Sequence, residues 1–340
     1  MAILQSEFNN FCKKITIDKE ADALRDKREL LKKDIEKYLP DELDAIGIEA
    51  TKSDFEFIHQ GSYIINTTIT NRYGPVDLDY AVIVPIDIYQ NSNTPKIKKS
   101  VKNSLTHIST RTVKIKEPCV TVSYHDGDKE TTHIDFPVYA SYNGSLYLAR
   151  GKEYSSEDNY KWEIADPRGL NDYFLKNLNG NDELRNVIRL IKKWKQEAYR
   201  NKTTDHEIPP SVALTILACQ KYVHKDSMIQ TVYETLNCIK NSFRLTKDIS
   251  GNILTANLHC NLPVAPYSDV FYKMRNSSDY MIKFYNKLDS AVRNLDEAIQ
   301  LDDEHEAGLC IQKVFGDEFE IPKKQARYTE SYNNRESSFG

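Results

Sequence analysis

Two carboxylates separated by a single residue carry the clearest chemical meaning in this chain. Asp77 and Asp79 flank Leu78 and lead into the apolar residues 80–84. Because the side chains of a β-strand alternate between its two faces, both acids point to one side and Leu78 points to the other. Two carboxylates held side by side repel each other unless a cation lies between them. The spacing therefore predicts a cation site near the start of a buried strand.

Two further features belong with this pair. A Gly-Ser turn, Gly61-Ser62, precedes it, and a third acid, Asp135, lies in a second predicted strand. Such a turn can bring backbone N–H groups and a hydroxyl close to phosphate. Mg²⁺ binds through carboxylates together with substrate phosphates. The combination favours two-metal nucleotidyl transfer, with Mg²⁺ or Mn²⁺ as the cofactor.

Composition limits the other function classes. The chain has 340 residues, 28% of them charged, and a net charge of −4, so no overall positive field draws it to nucleic acid or membrane. Neither a signal peptide nor a membrane span is recognisable, so we expect a cytoplasmic protein. None of the cysteines forms a Cys-x-x-Cys pair, which argues for reduced thiols and against structural zinc. These cysteines are Cys12, Cys119, Cys219, Cys238, Cys260 and Cys310.

The order of predicted elements indicates an α+β protein with two lobes. A long N-terminal helix over residues 18–39 is expected to end at Pro40. Short strands fill residues 54–139, and helices dominate from residue 166 onward. A basic run predicts a helix whose lysines face solvent; these are Lys96, Lys98, Lys99 and Lys102. We expect a catalytic core at residues 1–165, a helical lobe at 166–320, the active site in the cleft between them, and a flexible tail at 321–340.

The acid and Gly-Ser pattern resembles the DNA polymerase β-like nucleotidyltransferases. In the helical half, LIKKW at residues 190–194 followed by PPSVAL at 209–214 resembles oligoadenylate synthetases and cGAS-type enzymes. ADPRGL at residues 165–170 and LPVAPY at 262–267 resemble the bacterial cGAS/DncV-like nucleotidyltransferases, the CD-NTases of CBASS antiphage operons. The resemblance extends over residues 8–319. It implies a polymerase β-like core sheet joined to an oligoadenylate synthetase-like helical lobe.

The resemblance also implies a reaction. The ribose hydroxyl of one nucleotide attacks the α-phosphate of a donor triphosphate, and a second transfer closes a cyclic di- or trinucleotide such as cyclic GMP-AMP. Asp77 and Asp79 would bind the cation on the donor phosphates, and Asp135 would complete the second cation site. The substrates would be ATP and GTP, and the product would act on an effector protein in antiviral defence.

Phosphate binding is implied for residues of both lobes. Gly61 and Ser62 would bind the terminal phosphates with help from Gln60. Lys192 and Ser211 would bind the same triphosphate from the helical lobe. Lys193 or Lys195 replaces Lys192 if the register of that helix is shifted.

Two residues of the last quoted segment are candidates for contact with a base. Tyr267 is expected to stack on a base or to pack in the protein, and Asp269 is expected to read a base edge. His59 and His133 flank the acid motifs, and we interpret both as packed neighbours. Which bases are chosen and which linkage is made stay open.

The tail of the chain raises a separate expectation. Residues 321–340 are polar and end in Phe339-Gly340. Some CD-NTases resemble ubiquitin in that a partner ligase activates their C-terminal residue and joins it to a target. Gly340 is therefore a candidate ligation site for a ubiquitin-activating-like partner, and a frayed terminus is the alternative.

Two other functions remain to be separated from the cyclic synthase. One is a template-independent synthase of linear oligonucleotides, and the other is an inactive nucleotide or RNA sensor. Retention of all three acids argues against the sensor. Animal cGAS carries a zinc-binding insertion and a basic DNA-binding surface, and this sequence has neither, so activation by duplex DNA is disfavoured.

Overall fold

The structure is a computed structural model that describes residues 4–17, 22–107, 111–202 and 204–324. Its helices are α1 (Gln5–Ile15), α2 (Asp22–Asp44), α3 (Gly61–Ile64), α4 (Thr94–Leu105), α5 (Pro167–Leu178), α6 (Asp182–Ala198), α7 (Ser211–Lys221), α8 (Met228–Asn241), α9 (Ser278–Gln300) and α10 (Glu304–Phe315). Its strands are β1 (Glu56–Gln60), β2 (Val76–Val84), β3 (Arg111–Ile115), β4 (Val120–Asp126), β5 (Lys129–Phe136), β6 (Val138–Tyr142), β7 (Ser145–Arg150), β8 (Lys161–Ala165), β9 (Arg244–Lys247) and β10 (Ile253–Asn257).

A mixed sheet dominates the first half of the chain. Its strand order is β3-β4-β5-β2-β6-β7-β8, and β1 pairs antiparallel with β2. Strand β2 runs parallel to both β5 and β6, which follow each other in the chain on either side of Pro137. The predicted α+β class is confirmed, although β7, β8 and the hairpin β9–β10 were not predicted.

Helices α2 and α4 cover one face of this sheet. Leu31 and Ile35 of α2 and Val101 of α4 are fully buried in one core with Leu78 of β2. Since Leu78 points into this core, its neighbours Asp77 and Asp79 lie on the opposite face. The packing of α2 and α4 thus directs the acid pair toward the helical half of the protein.

The predicted end of the long helix at Pro40 is wrong. Helix α2 continues through Pro40 to Asp44. A proline inside a helix removes one backbone hydrogen bond and costs about 3 kcal/mol. Leu39 and Leu43 on either side are fully buried, and the Glu42 carbonyl accepts a hydrogen bond from Ser100 Oγ at 3.1 Å. Burial and contact with α4 therefore hold the last turn in place.

The basic run forms the predicted helix, α4, but the prediction that all its lysines face solvent is wrong for Lys98. This side chain is fully buried, whereas Lys99 beside it is exposed. Its ammonium donates to the carbonyl oxygens of Lys116 at 3.0 Å and Glu117 at 2.8 Å, and to that of Gly151. Burial lowers the pKa of Lys98 to about 8. The lysine therefore ties α4 to the loops after β3 and β7.

We expect Lys98→Met to destabilise the protein by about 3 kcal/mol or more, because it leaves three carbonyl oxygens without their donor, and each buried unsatisfied group costs about 1–3 kcal/mol. Lys99→Met is the matched control on the same helix, with an expected change within about 0.5 kcal/mol. Urea unfolding followed by circular dichroism measures both. Equal stabilities of the two variants would contradict the structural role of Lys98.

The second half of the chain forms its own core. Leu190, Ile191 and Trp194 of α6 are buried with residues of α7 to α10. Helix α1 joins this core although it precedes the sheet in the chain, and Phe8 lies 5.1 Å from Phe319 between ring centroids. Hairpin β9–β10 lies beside α9. The domain limits predicted from sequence stay a prediction.

The end of the described chain lies against α10. His305 Nδ1 is 2.8 Å from the carbonyl oxygen of Pro322, and Lys324 pairs with Glu306 at 3.5 Å. Residues 325–340 lie outside the described residues, and with them most of the predicted tail and the candidate ligation site Gly340. Among the described helices, none is both long enough and apolar enough to cross a membrane.

Candidate active site

Strands β2 and β5 place four polar side chains next to one another. In their parallel register, Asp77 lies opposite His133 and Asp79 lies opposite Asp135. Alternation along each strand places all four on the face away from α2 and α4. The predicted grouping of three carboxylates is therefore present in the structure, with a histidine as its fourth member.

Among the three acids, Asp79 has the most strongly shifted pKa. Burial, and after it the carboxylates of Asp77 and Asp135, raise the pKa of Asp79 to about 8. Lys192 and His133 act in the opposite direction without cancelling this rise. The site thus holds more negative charge than its own cations neutralise, which is the condition that a bound divalent cation relieves.

The other two acids have partners. Burial favours the protonated form of Asp77, but the hydrogen bond with His133 and the charges of Lys116 and Lys195 bring its pKa below the usual value. Asp135 Oδ1 accepts a hydrogen bond from Thr121 Oγ1 and lies 3.6 Å from Lys116 Nζ. These contacts orient both carboxylates, and those of Asp77 favour its ionised form.

The Gly-Ser turn lies directly beside Asp79. Gln60, the last residue of β1, pairs with Asp79, and the chain turns into α3 at Gly61. Gly61 has a φ of +65°, and a Cβ there would collide with the carboxylate of Asp79. Ser62 Oγ lies 3.0 Å from Thr68 Oγ1. Only glycine allows this close approach of backbone to acid.

A cavity of about 580 Å³ opens in front of the acids, between the sheet and the helical half. Its wall includes Gly61, Ser62 and Gln60 on one side and Lys192, Lys195 and Ser211 on the other; Asp77 and Asp79 form part of its floor. The predicted phosphate-binding residues of both lobes therefore face one space. Gln60 Nε2 also donates to the hydroxyl of Tyr139 at 3.2 Å.

The lysines of α6 separate into two groups. Lys192 Nζ donates to Thr67 O at 3.1 Å and to Thr67 Oγ1 at 3.0 Å, and Lys195 Nζ donates to Ser211 Oγ. Lys193 is fully buried elsewhere, where it pairs with Glu197 at 2.9 Å and with Glu318. Helical periodicity explains the division, since residues three apart share a face and adjacent residues do not.

Burial lowers the pKa of Lys192 to about 7 and that of Lys195 to about 8. Repulsion from Lys195 contributes to the shift of Lys192, and attraction from Asp79 and Asp77 opposes it. Lys192 and Lys195 line the same cavity, and a polyanion bound there would favour their charged forms.

Tyr267 and Asp269 are not among the residues that line this cavity. The Tyr267 side chain is 65% exposed. Asp269 accepts hydrogen bonds from the backbone N–H groups of Cys260 at 3.3 Å and Phe271 at 2.9 Å, and its carboxylate pairs with Arg275. Asp269 thus holds the loop in shape, and loop residues 262, 264–266 and 268 line the cavity in its place.

Comparison with known proteins agrees with this geometry. Residues 55–139, which include β1, β2 and the three acids, match the family described as "Cyclic GMP-AMP synthase DncV-like, nucleotidyltransferase domain". The chain carries a DncV-like nucleotidyltransferase domain. No curated protein matches the chain. The family match makes the protein a nucleotidyltransferase, as the sequence predicted.

The structure is also similar to solved structures of the Vibrio cholerae cyclic AMP-GMP synthase DncV, a prokaryotic cGAS homolog. One of them has a TM-score of 0.71 and 15% identity, and the match covers 94% of this chain and 98% of that one. A second, with the linear intermediate 5′ pppA(3′,5′)pG, has a TM-score of 0.70 and 16% identity and covers 94% and 98%. A third, with nonhydrolyzable GTP, has a TM-score of 0.70 and 16% identity and covers 96% and 100%. At this identity the likeness establishes the polymerase β-like nucleotidyltransferase fold.

The DncV-like domain has a donor set that fits a hard divalent cation. Ligand atoms of Asp77, His133 and Asp135 lie within 4.8 Å of one another. Carboxylate oxygens suit Mg²⁺ and Mn²⁺, and the raised pKa of Asp79 records the charge that a cation would balance. The residues present therefore fit the implied metal.

Sequence reasoning missed one member of this group. His133 was interpreted as a packed neighbour, yet its Nε2 lies 2.9 Å from Asp77 Oδ1. The available signal was the spacing of His133 and Asp135, which repeats the i, i+2 pattern of Asp77 and Asp79. What the sequence alone could not show is that the two strands pair in register.

Proposed function

We propose that this DncV-like nucleotidyltransferase joins NTPs into a cyclic di- or trinucleotide. A ribose hydroxyl attacks the α-phosphate of a donor NTP, pyrophosphate leaves, and a second transfer closes the ring. Bound Mg²⁺ or Mn²⁺ would lower the pKa of the attacking hydroxyl and neutralise charge on the leaving phosphates. One observation carries the proposal, namely that Asp77 and Asp79 face Lys192 and Lys195 across a single cavity. Asp135 lies beside Asp79 on the neighbouring strand β5.

The residues divide the work between binding and chemistry. Asp77 and Asp79 hold the cation on the donor triphosphate, and Asp135 joins them at the attacking hydroxyl. Gly61 and Ser62 lie beside Asp79, where a terminal phosphate can approach backbone N–H groups. Lys195 lies within hydrogen-bond reach of Ser211 and supplies charge from the helical side.

The apolar part of the cavity supports binding of a nucleoside. Phe174, Val212 and Leu262 line it together with Ala265 and Pro266. A largely apolar wall with a few polar groups is the usual environment of a bound base and sugar. ATP and GTP are the proposed substrates.

Product analysis tests the proposal. The full-length protein is incubated with the four NTPs and Mg²⁺, treated with phosphatase, and its products are identified by mass spectrometry. A cyclic product has no terminal phosphate and keeps its mass after phosphatase. Linear products that lose phosphate would assign the protein to the oligoadenylate synthetase type, and no product would favour a nucleotide sensor.

The three lysines of α6 provide a sharper test of binding. We expect Lys192→Met and Lys195→Met each to raise the KM for NTP about ten- to hundredfold, since a hydrogen bond to a charged group contributes about 1.5–3 kcal/mol. Lys193→Met is the matched control, because Lys193 pairs with Glu197 and Glu318 outside the cavity. It should lower the melting temperature and leave KM unchanged. A rise in KM for Lys193→Met alone would contradict this assignment, since it would show that the face of α6 with Lys193 binds the NTP.

The biological part of the proposal is antiviral defence, with a separate effector protein that senses the product. It is supported by the resemblance to CD-NTases and by the DncV-like domain at residues 55–139. Attachment of Gly340 to a target by a ligase stays a prediction. Plaque assays on cells that carry the gene with its genomic neighbours test the defence role, with Asp79→Asn as the inactive control.

A further inference from the structure

Four polar side chains are grouped on β2 and β5, namely Asp77, Asp79, His133 and Asp135. Of these, His133 is the one that the proposed reaction does not use. Its Nε2 lies 2.9 Å from Asp77 Oδ1, and its side chain is only 21% exposed. The register of β2 and β5 places the two residues directly opposite each other. The contact is therefore set by the sheet and does not depend on a flexible loop.

The second ring nitrogen also faces an acid. His133 Nδ1 lies 3.7 Å from Glu130 Oε1, within the distance of an ion pair. The imidazole thus lies between two carboxylates, one on each side. The shorter contact, from Nε2 to Asp77, gives the ring a defined orientation, as a hydrogen bond commonly does for histidines beside metal sites.

The contact with His133 involves only one of the two carboxylate oxygens of Asp77, Oδ1. Among the described residues, the hydrogen-bond partner of the Asp77 side chain is His133, which contacts Oδ1. Oδ2 is then available to a cation. A carboxylate that is free to rotate would lose rotamer entropy on binding a cation, whereas one fixed in advance loses less.

We propose that His133 is a positioning residue for the cation site, which holds Asp77 by donating from Nε2 to Oδ1 so that Oδ2 binds the cation. This inference rests on the proposed function. The same geometry could place the imidazole itself on the cation, since ligand atoms of Asp77, His133 and Asp135 lie within 4.8 Å of one another. Imidazole is a poor ligand for Mg²⁺, and ligation would require His133 to give up the hydrogen bond to Asp77.

Binding of Mn²⁺ to the full-length protein, measured by calorimetry with a saturating nonhydrolyzable GTP analogue, tests the proposal without turnover. We expect His133→Leu to weaken Mn²⁺ binding about ten- to hundredfold, the usual effect of losing a residue that orients a metal ligand. His133→Gln should stay close to the wild type, because its amide nitrogen can occupy the place of Nε2. His125→Leu, at an exposed histidine on β4, is the control and should not change binding.

The outcomes separate this inference from the proposed function. A wild type that binds no Mn²⁺ in the presence of the analogue would overturn the proposed function and the inference together. Wild-type binding that His133→Leu leaves unchanged would overturn the inference alone. Equal losses in His133→Leu and His133→Gln would also overturn it, since they would show that the imidazole itself is required.

A second measurement covers the case in which His133→Leu does not fold. Nitrogen-15 NMR of the histidine side chains follows the Nε2 proton of His133 during addition of Mg²⁺ and the analogue. Persistence of the Nε2–H signal supports a hydrogen bond to Asp77. Loss of that proton when the cation binds would overturn the inference in favour of direct ligation.

Discussion

Replacing both acids of the pair, Asp77→Asn with Asp79→Asn, is expected to abolish nucleotidyl transfer while the protein stays folded. The two carboxylates share one face of β2 beside Gly61, and the amides cannot hold a divalent cation against the developing charge. We expect a loss of at least about a thousandfold in kcat, or about 4 kcal/mol of barrier. Steady-state rates with ATP and GTP measure the loss.

Two controls test whether the loss of activity comes from the missing acids and not from misfolding. Asp126→Asn removes an exposed acid at the end of β4, outside the cavity, and should retain full activity. Without metal, the double variant should melt at the same temperature as the wild type or above it, because repulsion between the carboxylates is gone. Turnover near the wild-type level in the double variant would contradict the assignment of these acids.

The second large effect concerns stability and pH in the absence of metal. The pKa of Asp79 is raised from 3.8 to about 8 by burial and by the neighbouring carboxylates. The folded state therefore binds this proton more tightly than the unfolded state. Stability from this group is complete below about pH 4 and is lost as pH rises toward 8, with a slope of at most about 1.4 kcal/mol per pH unit.

Urea unfolding in EDTA at several values between pH 4.5 and 6 measures this slope against Asp79→Asn. The free energy of unfolding of the wild type should fall relative to the variant as pH rises. His133 also has a raised pKa, through its hydrogen bond with Asp77, and its contribution is lost only at higher pH. Burial lowers the pKa of His59 to about 4, so its contribution rises with pH in this window and opposes that of Asp79. Both proteins contain His59, and the difference between them therefore reports Asp79. Mg²⁺ at pH 7.5 should stabilise the wild type and leave Asp79→Asn nearly unchanged. A pH-independent difference between the two proteins would contradict the burial of an uncompensated charge.

The local pattern of the sequence was sufficient for the acid pair. Alternation along a strand is a property of adjacent residues, so Asp77 and Asp79 could be assigned to one face and Leu78 to the other, as the structure has them. The α+β class and helix α4 followed from similarly local signals. Asp135 was likewise read from a second predicted strand, and the resemblance supplied its role at the second cation site.

Contacts between distant segments decided the rest, since they depend on which element covers each face. Lys98 looked like its neighbours in a basic run, and only the carbonyl oxygens of other loops made it a buried residue. Pro40 looked like a helix end until α4 packed beside it and buried Leu43. Residues on one strand or one helix turn could be grouped from the sequence, because the geometry of the local backbone fixes their relative positions.

The site shows the same division. Lys192 and Lys195 share a face of α6, but which face meets the acids was decided by how α6 packs against the sheet. His133 became a neighbour of Asp77 only when β2 and β5 paired in parallel register, a contact between residues far apart in the chain. Strand register is strongly specified wherever one face of a sheet is buried, because a slip of one residue moves every side chain to the other face. The sequence therefore determined the acids and their chemistry, and the tertiary structure determined what surrounds them.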